Sequence, residues 1–306
     1  MKVPLTLRDF QTISRRPLLI YGIWVVFSCL IFWKPLGALV RYSLNNDNAS
    51  HILLIPLIVA WLLYNDRARI SKLCAFDFIA ALPFVILAAA FGAVSLWRLP
   101  FGTPDSTSLL TLSLILFLSA GFIAIFGRLS AKATWFSLAF LGFAMPLPEG
   151  FLDRFIYALQ YASASVAGWI FDASGVPVLR EGLIFHLSGL NIEVARECSG
   201  IRSSIALLIL ATLVAHFAFT NLWKKVVFVL VGLAMMAVKN GVRIATLTIL
   251  AKYVDPDFLF GRLHHQGGVV FFLLGLALLI PVYCLLRRGE KQNLRFMSPA
   301  TGQVPQ

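Results

Sequence analysis

Charge is what this chain has least of: only 13% of its 306 residues are Asp, Glu, Lys or Arg, whereas 59% are hydrophobic. A soluble domain carries about 25% charged residues, so the shortage excludes a chain that lives mostly in water. Acid is scarcer than base, 14 residues against 26, leaving a formal net charge of +12. That excess does not point to nucleic acid, because the basic residues sit at the ends of apolar runs and form no stripe with interleaved aromatics. Cysteine is nearly absent too. Cys29, Cys74, Cys198 and Cys284 show no CxxC spacing, which excludes a disulfide framework or zinc ribbon, and Cys29 and Cys284 lie in apolar runs where Cys acts as a small hydrophobe. There is no HExxH, and Asp255 and Asp257 stand at no spacing from His264 and His265 that selects a ligand set. No metal or cofactor is therefore expected. Lys2, Arg8, Arg15 and Arg16 precede an apolar run with no small-x-small cleavage site after it, so the first run is expected to be retained as a span. No internal repeat is present.

What the chain has in quantity is apolar length, with a mean hydropathy of +0.84. Runs near the roughly 17–25 residues that cross a bilayer lie at Leu18 to Trp33, Ser50 to Tyr64, Phe78 to Leu96, Leu109 to Phe126, Trp135 to Leu147, Cys198 to Phe219, Val226 to Leu250 and Gly267 to Leu286. The expected fold is an all-α integral membrane protein, a bundle of about eight transmembrane helices with a small extracytoplasmic cap. Alternating the loops puts Arg15/Arg16, Arg67/Arg69/Lys72, Arg128/Lys132, Lys224/Lys225 and Arg287/Arg288/Lys291/Arg295 on one side. The excess of Lys and Arg marks that side as cytoplasmic, with both termini there, in a cell (inner, cytoplasmic) membrane.

Phe151 to Phe171 is long enough to span as well. However, Asp153, Arg154, Gln160, Ser163 and Ser165 interrupt it, while Phe151, Leu152, Phe155, Ile156 and Leu159 recur at helical spacing. That pattern predicts a helix along the interface. Gly182 to Leu187 and Leu190 to Val194 flank the turn signal Ser188-Gly189, which predicts a β-hairpin above the membrane. The domain expectation is one membrane domain over 1–286, with 148–197 as its cap, followed by a basic, disordered tail over 287–306.

Three positions bear chemistry. Cys198 stands where a polar segment becomes an apolar helix, between Arg196 and Arg202. Helix N–H groups and neighbouring cations lower a thiol pKa, and the same N–H groups suit an oxyanion. The bland alternative is a small residue that lets a helix end pack. Arg243 lies in the outer half of the seventh run, where a guanidinium is costly unless it faces a polar cavity or snorkels. Lys239, one turn deeper, is assigned neither a partner-seeking nor a structural role. His264 and His265 precede the eighth run on the same side and suit proton transfer, or equally a solvated anchor. His51, His186, Glu149, Glu193 and Glu197 are further outer polar groups whose spacing selects no role, and His216 reads as structural. Thiol, guanidinium and imidazole thus approach one membrane face, the set that thiol-dependent acyl transfer requires.

Several ordered motifs resemble the exosortase/archaeosortase family of integral membrane transpeptidase-like enzymes. They are Asn48-Ala49-Ser50-His51 leading to Pro56, Met145-Pro146-Leu147-Pro148, Gly175-Val176-Pro177-Val178 with Arg180-Glu181-Gly182, and Glu193-Val194 through Cys198-Ser199-Gly200-Ile201-Arg202-Ser203. Asn240-Gly241-Val242-Arg243-Ile244, and His264 followed by Gly268 and Phe272, complete the series. The resemblance implies Cys198 as nucleophile, Arg243 as stabilising cation and His264 as general acid/base. It also implies the partners, exported proteins with a C-terminal sorting tail made of a recognition motif, an apolar helix and a basic end. Two departures stand out, Ile52 where the family often has Gly, and His265 beside the expected single His. Rival readings are a transporter or channel lined by Lys239, Arg243 and His264, and a non-catalytic binder of sorting tails.

Overall fold

The computed structural model describes residues 15–196, 200–255, 258 and 268–288. In chain order the elements are α1 (Arg15–Ile31), α2 (Trp33–Asn45), a 3-10 stretch (Asp47–Leu53), α3 (Ile55–Asn65), α4 (Arg67–Leu73), α5 (Phe78–Arg98) and α6 (Pro104–Ala133). They continue with α7 (Trp135–Phe140), a second 3-10 stretch (Leu141–Ala144), α8 (Glu149–Ala173), β1 (Val178–Glu181), β2 (Ile184–Leu187), β3 (Leu190–Glu193), α9 (Ile201–Ala218), α10 (Leu222–Tyr253) and α11 (Gly268–Arg287). Among the described residues six helical stretches are long and apolar enough to cross a membrane, and up to eight if each of two bent pairs counts as one span. The all-α membrane architecture read from hydropathy is therefore the one the chain adopts.

The bends are where it departs from straight spans. Arg16–Ile31 and Trp33–Asn45 meet at 78°, and Trp135–Ala144 meets Glu149–Ala173 at 90°. Pro146 and Pro148 account for the second bend, since neither has an N–H to continue a helix and each drives the residue before it out of the α region. The run from Trp135 to Leu147 thus gives only six residues of α-helix and a 3-10 turn.

The chain divides into two compact units, Met1–Ile156 and Tyr157–Gln306. In the first, α6 is the axis. Trp24 of α1 stacks on Phe117 at 4.6 Å between ring centres and donates its indole N–H to the Phe117 carbonyl at 3.1 Å. A side chain at Gly121 would collide with that indole. At Gly127 (φ 85°) the helix breaks, and a Cβ there would strike the Ala75 carbonyl oxygen. The break frees carbonyls that the ladder would otherwise use, and the strand-like segment before α5 takes them: Ala75 N donates to Phe126 O at 3.3 Å and Asp77 N to Ala124 O at 3.0 Å.

In the second unit α9, α10 and α11 form the apolar bundle. α9 and α10 run antiparallel: a Cβ at Gly232 would lie 3.2 Å from Ala211, and Lys239 bonds to Ser203 at the other end. α9 and α11 run parallel, because Gly275 lies beside Leu207 while Tyr283 packs its ring 5.9 Å from Phe219. They therefore begin at the same end. α10 continues past that end from Asn240 to Tyr253, about 20 Å at 1.5 Å per residue. This overshoot is covered by a small cap. β1, β2 and β3 form an antiparallel meander, Val178 opposite Leu187 and Leu187 opposite Leu190. Phe185, Leu187 and Val194 pack with Ala164, Ala167 and Phe171 of α8 and with Ile244 and Ala245 of α10. The expected hairpin forms, and β1 adds a third strand the sequence pattern did not announce. Arg180 secures it, donating to Gly182 O at 2.9 Å and Ser165 Oγ at 3.1 Å while lying over the Tyr161 ring.

Candidate functional site

Gly200 opens α9 in the left-handed conformation (φ 64°, ψ 25°). Only a residue without Cβ takes that conformation at little cost, and no side chain caps the helix here. The carbonyl of Gly200 accepts the Ser204 N–H and the Ser203 hydroxyl, both at 2.9 Å. The other first-turn N–H groups point out of the start of the helix with the positive end of its dipole.

Facing this start is one polar turn of α10. Lys239 is 2% exposed and Asn240 1%. A Cβ on Gly200 would lie 3.1 Å from Asn240 Oδ1 and 3.3 Å from Lys239 Nζ. Lys239 Nζ donates to Ser203 Oγ at 2.7 Å, so ammonium, hydroxyl and Gly200 carbonyl form one chain. The Lys239 stem reaches this point along α11, where Gly275 leaves room for it. Gly241 does the same on the opposite face: a Cβ there would overlap Val166 and the Ser163 carbonyl of α8. Asn240 Oδ1 and Nδ2, Ser163 Oγ and Ser204 Oγ are buried without a hydrogen-bond partner among the described residues. A buried polar group left unpaired costs about 1–3 kcal/mol, so four such atoms in one small region need an explanation.

Of the residues singled out in the sequence, Cys198, His264, His265 and Glu197 lie outside the described residues. Arg243 is half-buried on the part of α10 that overshoots α9, beside the cap, and acts electrostatically on Lys239 one turn away. The expectation of a guanidinium inside the outer half of a span is thereby refined, since α8 and the sheet cover this stretch of α10. Several of the remaining polar residues have structural partners. His186 pairs across the sheet with Asn191 at 3.0 Å and approaches Glu181 at 3.6 Å. His51 sits in the first 3-10 stretch with its ring on the backbone of Asn48 and Phe143. His216 packs edge-on against Phe217. The Glu149 N–H donates to Asp105 Oδ1 at 2.7 Å. Cys74 is not a nucleophile in waiting: its thiol faces the Ile125 carbonyl at 3.7 Å and burial pushes its pKa up.

Asn240 and Ser203 are what residue-by-residue reading missed. The signal was present for Asn240, a Lys-Asn pair in an apolar run, but Ser203 acquires meaning only because the antiparallel packing of α9 and α10 sets it opposite Lys239.

Compared with known protein families, the chain matches the family model described as transmembrane exosortase over residues 43–281, more than half its length. No curated protein and no solved structure matches it.

Proposed function

Because the chain belongs to the transmembrane exosortase family, we propose that it is a cysteine peptidase or transpeptidase that cleaves C-terminal sorting tails of exported proteins. The observation that carries this reading is the shared starting end of α9 and α11. Two peptide units separate Cys198 from Gly200 and four separate His264 from Gly268, and a chain spans at most about 3.6 Å per residue. In this reading Cys198 and His264, which precede Gly200 and Gly268 in the chain, act at the end of the bundle where the polar turn of α10 lies. That end is opposite Lys224 and Lys225 at the beginning of α10. By the excess of basic residues on cytoplasmic loops, this end belongs to the outer face of a cell membrane.

In this reading the whole stretch 1–286 is one membrane domain with the cap at 148–197, and 287–306 is a basic cytoplasmic tail. The apolar helix of a tail lies against the bundle, which brings its recognition motif to the cap. His264 takes the thiol proton, and Cys198 sulfur attacks the scissile carbonyl carbon. An S–C bond forms while the carbonyl π pair moves to oxygen, giving an anion that Arg243 stabilises. Collapse restores C=O and breaks the C–N bond, and the amine leaves with the proton from His264. The acyl-enzyme passes its acyl group to water or an amine.

The test is co-expression with an exported protein carrying a tripartite tail. Processing is expected to stop in Cys198→Ala and to fall steeply in Cys198→Ser, whose hydroxyl is a far weaker nucleophile than a thiolate; unchanged processing in both variants ends the reading. In a background lacking Cys29, Cys74 and Cys284, a membrane-impermeant maleimide added outside intact cells is expected to label Cys198. Failure to do so while a control outer-loop cysteine labels overturns the sidedness.

A further inference from the structure

The mechanism above leaves unused the most buried cation among the described residues. Lys239 has no carboxylate within salt-bridge distance among them, and its ammonium commits a single proton, to Ser203 Oγ. Asn240, next to it, has both carboxamide atoms buried and without a hydrogen-bond partner among the described residues. Both side chains converge on Gly200, above the uncapped first turn of α9. If the pair merely tied α10 to α9, one Lys-to-Ser bond would suffice, and an apolar residue at 240 would avoid the cost of unpaired amide atoms. Unspent donors around the start of a helix fit an oxygen that acquires negative charge transiently. A permanent anion is not required, because Ser203 and the desolvated stem hold the ammonium in place between turnovers.

We infer that Lys239 and Asn240, with the first-turn N–H groups of α9, form an oxyanion-binding subsite for the tetrahedral intermediate made at Cys198. The inference rests on the proposed nucleophile. Lys239 supplies two further N–H donors and Asn240 its Nδ2; rotation of the carboxamide exchanges which unpartnered atom faces Gly200 and breaks no hydrogen bond. Arg243 is on the same helix face, four residues on. In this arrangement the stabilisation of the anion that the family resemblance assigns to Arg243 alone is shared with Lys239 and Asn240.

An acylating and an alkylating probe separate this role from others. Attack of Cys198 on p-nitrophenyl acetate passes through an oxyanion and expels p-nitrophenolate, whereas displacement of iodide from iodoacetamide forms no oxyanion. Both rates are to be measured on the full chain in proteoliposomes, in the background without Cys29, Cys74 and Cys284, for wild type, Lys239→Met and Asn240→Leu. Removing one oxyanion donor costs roughly a hundredfold or more. The ratio of acylation to alkylation is expected to fall by about that factor in each variant, while alkylation continues and so reports a folded, accessible thiol. Asn240→Leu keeps the ammonium and thus separates loss of a donor from loss of a charge. Equal loss of both rates would assign the pair to the thiol or the fold and overturn the inference, as would an unchanged ratio. If wild-type Cys198 reacts with iodoacetamide but never acylates, the inference and the reading of Cys198 as nucleophile fall together. Acylation at equal rates in all three proteins removes the inference alone.

Discussion

Of the helices that bury polar side chains, α6 and α10 treat them in opposite ways. α6, the axis of the first unit, buries seven hydroxyls: Ser106, Thr107, Ser108, Thr111, Ser113, Ser119 and Ser130. Each is closed by a nearby oxygen. Thr107, Thr111 and Ser119 donate back to the carbonyl four residues earlier, Ser113 to Ala88 O at 2.7 Å, Ser108 to Pro146 O at 2.7 Å, Ser130 to Ile70 O, and Ser106 meets Ser95 at 3.1 Å. α10, in the second unit, buries fewer polar groups but costlier ones, and leaves Asn240 without a partner among the described residues. Closed hydroxyls let helices approach and hold register in a lipid environment, where water cannot complete the pairing. An open carboxamide beside a buried ammonium does nothing for packing, and the difference sets α6, a scaffold, apart from α10, which carries the candidate site.

The comparison is broken most severely at the anchor of the scaffold. Trp24→Ala removes the stacking on Phe117 and the indole bond to its carbonyl, and leaves a void over Gly121 that the helix backbone is too rigid to fill. Trp24 is half-buried, so the loss lies near the lower end of the about 3–5 kcal/mol for deleting a buried large aromatic, and an SDS unfolding titration is expected to shift to lower SDS fractions by that amount. An unchanged midpoint would mean that α1 is not held on α6 through this residue.

Next in size, and opposite in sign, is Asn240→Leu. Replacing an unpaired buried amide by an apolar group of similar volume removes a desolvation penalty, so stability in the same titration is expected to rise by about 1–3 kcal/mol. A decrease would show that Asn240 is paired in the native protein and belongs with the closed hydroxyls of α6. Gain of stability combined with loss of acylation is the pattern of a site residue held at a cost to the fold.

How much of this was legible in the sequence depends on the range of the interaction. The eight apolar runs were readable because hydropathy over about twenty residues is a local sum. The hairpin turn Ser188-Gly189 was readable from its residue types. The break of α6 at Gly127 was not, since its cause is the carbonyl of Ala75, more than fifty residues earlier, accepting no Cβ beside it. Nor was β1, whose residues Val178 to Glu181 carry a mixed pattern and are recruited by pairing with β2. At the site, Lys239 was visible as an anomaly within an apolar run. Its partner Ser203 was not, because nothing local to either residue states that α9 and α10 lie antiparallel with these two positions level.

The smallest effect tests the scaffold side of the comparison. Ser113 Oγ donates to the Ala88 carbonyl on α5, an acceptor already engaged in its own helix ladder. The added bond is therefore a supplement, and its loss leaves no orphaned donor. Interhelical hydrogen bonds in membrane bundles average about 0.6 kcal/mol with a maximum near 1.7, so Ser113→Ala is expected to destabilise by about that average. Gly92 packs against this hydroxyl, with a Cβ there only 3.1 Å from Ser113 Oγ. Gly92→Ala in the Ser113→Ala background should accordingly recover part of the loss by filling the vacated space, whereas Gly92→Ala alone should destabilise. If the double variant is no better than the sum of the singles, α5 and α6 are held by close backbone approach rather than by the hydroxyl seam.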